Sequence, residues 1–331
     1  MYDLCTRIKG IKSNDNHHSL FPHATKNTRG DVIRGTYGFE NEKFSVQAAF
    51  SKGEYGRMYT GTFGKRTVAI KMNLKVPVQD DINEVRLQTE LYCYVKEHGH
   101  LGRHIARIPE PVFAAFIPGF GRVLGMERVD STMIDLVLTL RKDARIRWLR
   151  DALLKLCALL AILQEKFSFM HGDLHGDNVM VRGSDVFLID LGMSSARVAG
   201  ARVVADRRYV KIPFHSQLDL LTLLTALRDD FASSSTEVAG WCGAFVDPFW
   251  NTVQRALQGD TQTVSSYGAQ STVRAARKEL SDKGEIYYAH HLLYDNIGHV
   301  SYQTCEPQHL MRLLKASKLH GTKVRGRIFE R

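Results

Sequence analysis

The chain has 331 residues, of which 44% are apolar, 24% charged and 9% aromatic. That composition excludes a mainly disordered chain, a collagen-like repeat and a small disulfide scaffold, and the length predicts about two compact units. Forty-five Lys and Arg against 35 Asp and Glu give a net charge of +10, which favours anionic partners without choosing among nucleotide, acidic peptide, nucleic acid and lipid.

Residues 1–43 are polar, with KSNDNHHS and TRGD stretches, and are expected to form an N-terminal extension. From residue 44, FSVQAAF, GRMYTGTF and RTVAIKM alternate apolar and polar residues between turn residues and predict three short strands. Asp80–His98 has helical spacing, with Ile82, Val85, Leu87, Leu91 and Val95 apolar. RIPEPVFAAFI and GRVLGMERV then read as two further strands, closing a small sheet-based unit over 44–130. After Asp130 the pattern turns helical. Leu149, Ala152, Leu153, Leu156, Leu160, Leu163 and Phe167 mark a long helix, and SQLDLLTLLTALRD from Ser216 marks a second. The expected second unit spans 131–310, followed by a basic tail over 311–331.

The longest aliphatic run, Leu156–Leu163, has eight residues, against the about 20 that a membrane span needs. The N-terminus has no apolar signal core. The five cysteines include no CxxC pair, so neither a zinc ribbon nor a disulfide framework is indicated, and a cytoplasmic setting is expected.

Four constellations carry candidate chemistry. Ser51–Tyr59 (SKGEYGRMY) places Gly53 and Gly56 between two strand patterns, where a backbone without Cβ can approach a phosphate closely or simply make a hairpin. Val68-Ala69-Ile70-Lys71 puts a lysine on one face of a strand, fifteen residues after Gly56. His171–Asn178 (HGDLHGDN) crowds two imidazoles, two carboxylates and an amide into eight residues after the long helix. Such a cluster suits a metal site, or a carboxylate base with an amide metal ligand five residues on. The apolar strand Val186–Ile189 ends in Asp190-Leu191-Gly192, with Asp190 seventeen residues after Asp173.

In this order and spacing the four motifs resemble those of the protein-kinase-like superfamily, over roughly residues 44–230: GxGxxGxV as SxGxxGxM, VAIK intact, HRDxxxxN as HGDLHGDN, and DFG as Asp190-Leu191-Gly192. The resemblance implies an α+β, two-lobed kinase-like fold, with a small antiparallel-sheet N-lobe and a larger helical C-lobe. It implies an ATP-dependent serine/threonine protein kinase using Mg²⁺. Ser51, Gly53 and Gly56 would cover the ATP phosphates, and Lys71 would pair with the α- and β-phosphates. Glu90, nineteen residues after Lys71, would orient that lysine, with Glu84 the alternative. Met126 would be the gatekeeper, and Glu127 to Val129 the hinge that meets adenine. Asp173 would orient the acceptor hydroxyl, Asn178 and Asp190 would hold Mg²⁺, and Asp219 would brace the catalytic loop.

The chain departs from the protein-kinase pattern in particular places. Ser51 replaces the first loop glycine, Gly172 replaces the HRD arginine, and His175 stands where serine/threonine kinases carry lysine. No APE motif follows Asp190, and only 29 positions separate Asp190 from Asp219. HGDLHxxN is also the pattern of aminoglycoside- and choline-kinase-like phosphotransferases. A small-molecule kinase and a nucleotide-binding scaffold therefore stand as alternatives. Arg197, Arg202, Arg207, Arg208 and Lys211 suggest an acidic or phosphorylated protein substrate, with a solvated loop as the plain reading. The tail's Arg312, Lys315, Lys318, Lys323, Arg325, Arg327 and Arg331 could meet nucleic acid, but only Phe329 is interleaved with them, and a solvated tail is favoured.

Overall fold

Alternation of apolar and polar side chains builds the first part of the molecule. The computed structural model describes residues 4, 21–26, 35–39, 42–52, 56–73, 77–98, 104–206, 214–257 and 305–316. The chain divides into two units. The first takes Met1–Gly102, Arg107–Asp130 and Phe187–Val210; the second takes Arg103–Ala106, Ser131–Val186 and Lys211–Arg331.

In the first unit, strands β1 (Thr25–Lys26), β2 (Gly35–Phe39), β3 (Glu42–Lys52), β4 (Gly56–Phe63), β5 (Arg66–Asn73), β6 (Pro111–Ile117) and β7 (Gly121–Glu127) form one sheet. Its order is β1-β2-β3-β4-β5-β7-β6, with every neighbouring pair antiparallel. The sheet curls back on itself. The Ala24 N–H donates to the Phe116 carbonyl at 2.9 Å and the Phe116 N–H to the Pro22 carbonyl at 3.0 Å, so the segment entering β1 also pairs with β6.

Period-two patterning sends Tyr37, Phe39, Phe44, Phe63 and Phe113 into one core. Phe44 and Phe113 stack with ring centroids 4.5 Å apart, and Phe63 and Phe113 at 5.2 Å; such pairs add ~0.5–1.5 kcal/mol each beyond their burial. Gly125 lies across the ladder from Phe113, and a Cβ there would come within 2.1 Å of that ring. The bare backbone is what admits the aromatic.

Part of the N-terminal extension expected over 1–43 joins the sheet. Residues 25–26 and 35–39 are strands of the sheet, and Phe21, Ala24, Tyr37 and Phe39 are buried. The apolar positions are few and separated by glycine and polar residues, so the alternation in GTYGF is too short to stand out.

Helix α1 (Val78–Glu97) packs Val85 into a second cluster with Phe21, Ala69, Ala114, Leu124 and Met126. Its register follows the expected helix within two residues at the start. Cys93, on this helix, is disulfide-bonded, although the cysteine spacing indicated no disulfide framework. Cys157, Cys242 and Cys305 are free and buried.

The second unit opens with β8 (Ser131–Thr132) and α2 (Met133–Thr139). The Thr132 hydroxyl accepts the Asp135 N–H at 3.1 Å and caps α2. Helix α3 (Lys142–Phe167) buries Leu149, Leu153, Leu156, Leu160 and Leu163 completely, each worth ~1.5–3 kcal/mol as an upper figure. Strand β9 (Val179–Arg182) pairs with β8. Strand β10 (Asp185–Leu188) leads the chain toward a hairpin of β11 (Ser195–Val198) and β12 (Ala201–Val204), which belongs to the first unit. The hairpin turn puts Ala199 at φ 49° and Gly200 at φ 80°, the two left-handed residues of a type I′ turn.

Helices α4 (Leu218–Phe231), α5 (Thr236–Leu257) and α6 (Pro307–Ala316) belong to the second unit. Helix α4 is apolar almost all round, as a buried helix must be; its Thr225 hydroxyl accepts the Trp250 indole N–H of α5 at 3.0 Å. Helix α6 packs on α3 through buried Leu310 and Leu314, so residues 311–316, expected as the start of a tail, belong to the packed body. The rest of that tail lies outside the described residues. Among the described residues no helix is long and apolar enough to cross a membrane. The α+β organisation, a curled antiparallel sheet followed by a mainly helical part, is the one expected.

Candidate active site

The alternation of β5 that buries Val68 and Ile70 in the sheet core points Lys71 the other way, toward α1. The Lys71 ammonium donates to Glu84 Oε1 at 2.5 Å and to Asp190 Oδ1 at 2.8 Å. Burial works against its charge, but Asp190 and Glu84 together outweigh that and hold its pKa well above the ordinary lysine value. Asp190 sits at φ 58°, in the left-handed region, and its Oδ1 also accepts the Gly192 N–H at 3.3 Å. Aspartate tolerates this conformation better than most residues. The turn aims the carboxylate at Lys71 and leaves its side chain 47% exposed.

The carboxylate at Lys71 is thus Glu84 and not Glu90. Six residues along a helix is about 240° of rotation and about 9 Å of rise. With Glu84 facing β5, Glu90 falls on a different face, where it is half-buried.

Of the remaining residues assigned to a nucleotide, Ser51 is the last residue but one of β3 and Gly56 begins β4, with Ser51 opposite Met58 in the ladder. Gly53 lies outside the described residues. Met126 is buried in the cluster beneath α1 and pairs with Ala69 of β5. The Glu127 N–H donates to the Glu110 carbonyl at 2.8 Å, and Glu127 Oε2 accepts the Glu110 N–H at 3.3 Å. Val129 is buried.

The second unit holds the other candidates. Asp219, 1% exposed on α4, accepts the His171 N–H at 2.9 Å and the Gly172 N–H at 3.0 Å, one with each oxygen. Burial pushes the Asp219 pKa up to about 6, against the pull of those two bonds. His171 Nδ1 in turn accepts the Asp173 N–H at 3.3 Å. The Asn178 amide donates to the Asp173 carbonyl at 2.7 Å and lies 3.1 Å from His175 Nε2. His175 stands 3.8 Å from the Asp173 carboxylate and 4.0 Å from that of Asp177. The structure therefore brings Asp173 and Asn178 together in one loop, and Lys71, Glu84 and Asp190 together in the first unit. Among the described residues no three His, Cys, Asp or Glu side chains are grouped to hold a metal.

Gly172 adopts φ 80°, which explains the missing arginine physically: only glycine takes that backbone without cost. Gly172→Arg is expected to lower unfolding stability by ~1–2 kcal/mol, read from urea midpoints. An unchanged midpoint would show that the loop relaxes to another conformation.

After Asp190, Ser194 and Ser195 are buried, and the Ala205 N–H donates to the Ser194 carbonyl at 2.8 Å. The Asn83 amide on α1 donates to the Val204 carbonyl at 2.8 Å, tying the hairpin to that helix. Arg197 and Arg202 are exposed and stand opposite each other across the hairpin. Arg207, Arg208 and Lys211 lie outside the described residues.

Sequence reasoning passed over Asn73, Asp81 and Arg122, which lie beside Glu84. A signal was present: Asp81, Glu84 and Gln88 recur at helical spacing on the buried side of α1, where apolar residues are the rule.

A model of the phosphotransferase enzyme family (APH) matches residues 93–198. That stretch contains Met126, Asp173, Asn178 and Asp190 but not Lys71. The structure of vaccinia related kinase 3 is similar at 13% identity, over 58% of this chain and 55% of that one, with a TM-score of 0.37. The BubR1 kinase domain is similar at 19% identity, over 51% of this chain and 52% of that one, with a TM-score of 0.37. This chain spans about half the length of the two kinases it matches. No curated protein matches it. The family match agrees with the phosphotransferase resemblance over residues 93–198.

Proposed function

We propose that this protein transfers the γ-phosphate of ATP, with Mg²⁺, to serine or threonine hydroxyls of protein substrates. The observation that carries the reading is Lys71, clasped between a helix carboxylate and the Asp190 turn. Structural ion pairs do this too, but here the lysine is that of VAIK within β5 and the carboxylate begins Asp190-Leu191-Gly192. The HGDLHGDN loop, braced by Asp219, supplies the remaining groups.

The donor types, Asp190 in the first unit and Asn178 in the second, are each of a kind that suits the implied metal. Asp190 and Asn178 offer hard oxygens, and Mg²⁺ commonly takes one or two protein oxygens and fills its shell with phosphate and water. Bound Mg²⁺ would neutralise charge on the phosphates. Lys71, held cationic by its two carboxylates, would bind the nucleotide's phosphate oxygens. Asp173 would accept a hydrogen bond from the acceptor hydroxyl and fix its line of attack; it needs little basicity, because phosphoryl transfer depends mainly on positioning and charge stabilisation. The exposed Arg197 and Arg202 pair would favour an acidic or phosphorylated segment of substrate.

A second reading is phosphate transfer to a cationic small molecule. It is favoured by the phosphotransferase family match and by the acidic groups around His175: the Asp230 pKa is raised by partial burial first and by the nearby Asp177 carboxylate second. Labelled ATP and Mg²⁺ would be supplied with acidic, basic and neutral proteins, and separately with aminoglycosides and amino alcohols. Asp173→Asn would be run beside the wild type. Label on protein that falls about 10²- to 10⁴-fold in Asp173→Asn supports the proposal. Label on the small amines alone replaces it with the second reading, and nucleotide binding without transfer to either class overturns both.

A further inference from the structure

We propose that Asn73, Asp81 and Arg122 are positioning residues that lock the start of α1 onto the sheet and thereby hold Glu84 against Lys71, a role that rests on the phosphotransfer reading above. Asn73 follows Lys71 by two residues on β5, so both side chains leave the same face of the strand. Its amide nitrogen donates to Asp81 Oδ1 at 2.7 Å and to Glu84 Oε2 at 3.1 Å. Arg122, on β7, donates through Nε to Asp81 Oδ2. An unbroken chain of bonds runs Arg122–Asp81–Asn73–Glu84–Lys71–Asp190.

Each link has a distinct task. Asp81 and Glu84 are 2% and 6% exposed, one helical turn apart on the same face of α1. Two buried carboxylates so placed repel each other. The Asn73 amide has two hydrogens and directs one to each, which joins them without adding charge. Arg122 supplies the cation that Asp81 needs, as Lys71 does for Glu84. Glu84 thereby has one oxygen for Lys71 and the other for Asn73, so its carboxylate cannot rotate without breaking a bond. A small open pocket, lined by Lys71, Asn73, Asp81, Glu84 and Arg122 among others, adjoins the network.

The test compares wild type with Asn73→Leu, which keeps the volume and removes both donors, and with Arg122→Met and Arg122→Lys. One readout needs no activity: hydrogen exchange of the amides at the start of α1, residues 81–88, in the nucleotide-free chain. The other is kcat and KM for ATP. Exchange about tenfold faster in Asn73→Leu and Arg122→Met, with the rest of the sheet unchanged, is expected. With it should go a kcat about 10- to 100-fold lower at nearly constant KM, because the lost alignment acts on the transition state. Arg122→Lys should recover most of both. Unchanged exchange and kcat in Asn73→Leu would overturn the relay, and so would a uniform rise in exchange throughout the sheet. If Asn73→Leu does not fold, the Arg122 pair decides by the same readouts. A wild type that neither binds nor turns over ATP would sink the phosphotransfer reading, and faster local exchange in the variants would then keep only the structural lock.

Discussion

Lys71→Met is expected to lower phosphate transfer at least about a hundredfold. Methionine keeps the length and apolar character of the lysine stem, so the change removes charge and little else. Two losses follow from the geometry. The nucleotide loses a cation that is already in place and needs no reorganisation when charge moves. Glu84 and Asp190, both bonded to that ammonium, are left facing a thioether. Glu84 is nearly buried, so its charge then lacks a counter-ion in a poorly hydrated place. Breaking one side of such a pair costs about 3–5 kcal/mol when burial is complete; the partial exposure of Asp190 reduces this. The unfolding midpoint should therefore fall as well. The double variant Lys71→Met/Glu84→Gln should recover stability without recovering turnover, which separates the two losses. Single-turnover transfer and urea unfolding on the same preparations read both, and near-normal transfer by Lys71→Met would remove the lysine from its assigned role.

The second large effect is a pH dependence that originates at Asp219. Its pKa is about 6 in the folded chain against 3.8 without the fold. The proton is bound more tightly when folded, so the resulting stabilisation is fully present below about pH 4. It is lost as pH rises through about 6, and above that the contribution is flat. A difference of about two pKa units corresponds to ~3 kcal/mol. Asp219→Asn removes the titration while keeping the shape. The stability difference, wild type minus Asp219→Asn, should therefore shrink by ~3 kcal/mol between pH 4 and pH 6.5. Taking the difference cancels the carboxylates common to both proteins. A difference that stays level across that range would mean that Asp219 is ionised throughout, stabilised by the His171 and Gly172 N–H groups more than burial disfavours it.

Much of this architecture was legible in the chain because local patterns and tertiary burial agree. The strands β3 to β7 read as short apolar-rich runs between turn residues, and α1 and α3 carry apolar stripes that the packing uses. Lys71 and Asp190 could be picked out because each is a charge that follows directly on a run of apolar residues. Glu84 was harder. Glu90 has the customary sequence separation from Lys71, but which carboxylate meets the lysine depends on how α1 is rotated against β5, and that is a tertiary quantity. The roles of Asn73 and Arg122 were hidden for a related reason: both read as ordinary polar residues near strand ends, and only the approach of α1 buries their partners. Gly172 was visible as a departure, yet its cause, a left-handed backbone beneath Asp219, lies in three dimensions. The N-terminal strands were missed because two and five residues are too few for alternation to exceed chance.

The pairing of residues 22–24 with β6 has a consequence for truncation. A sheet whose first and last strands meet offers neighbouring molecules no row of unsatisfied amides along that seam. Trimming the chain before Lys26 would leave two raw margins, on β2 and on β6, and uncover aromatic surface that Phe21 and Ala24 now cover. Such a shortened protein should stick to itself through strand addition even where its fold survives, so the opening residues act as a built-in guard against aggregation.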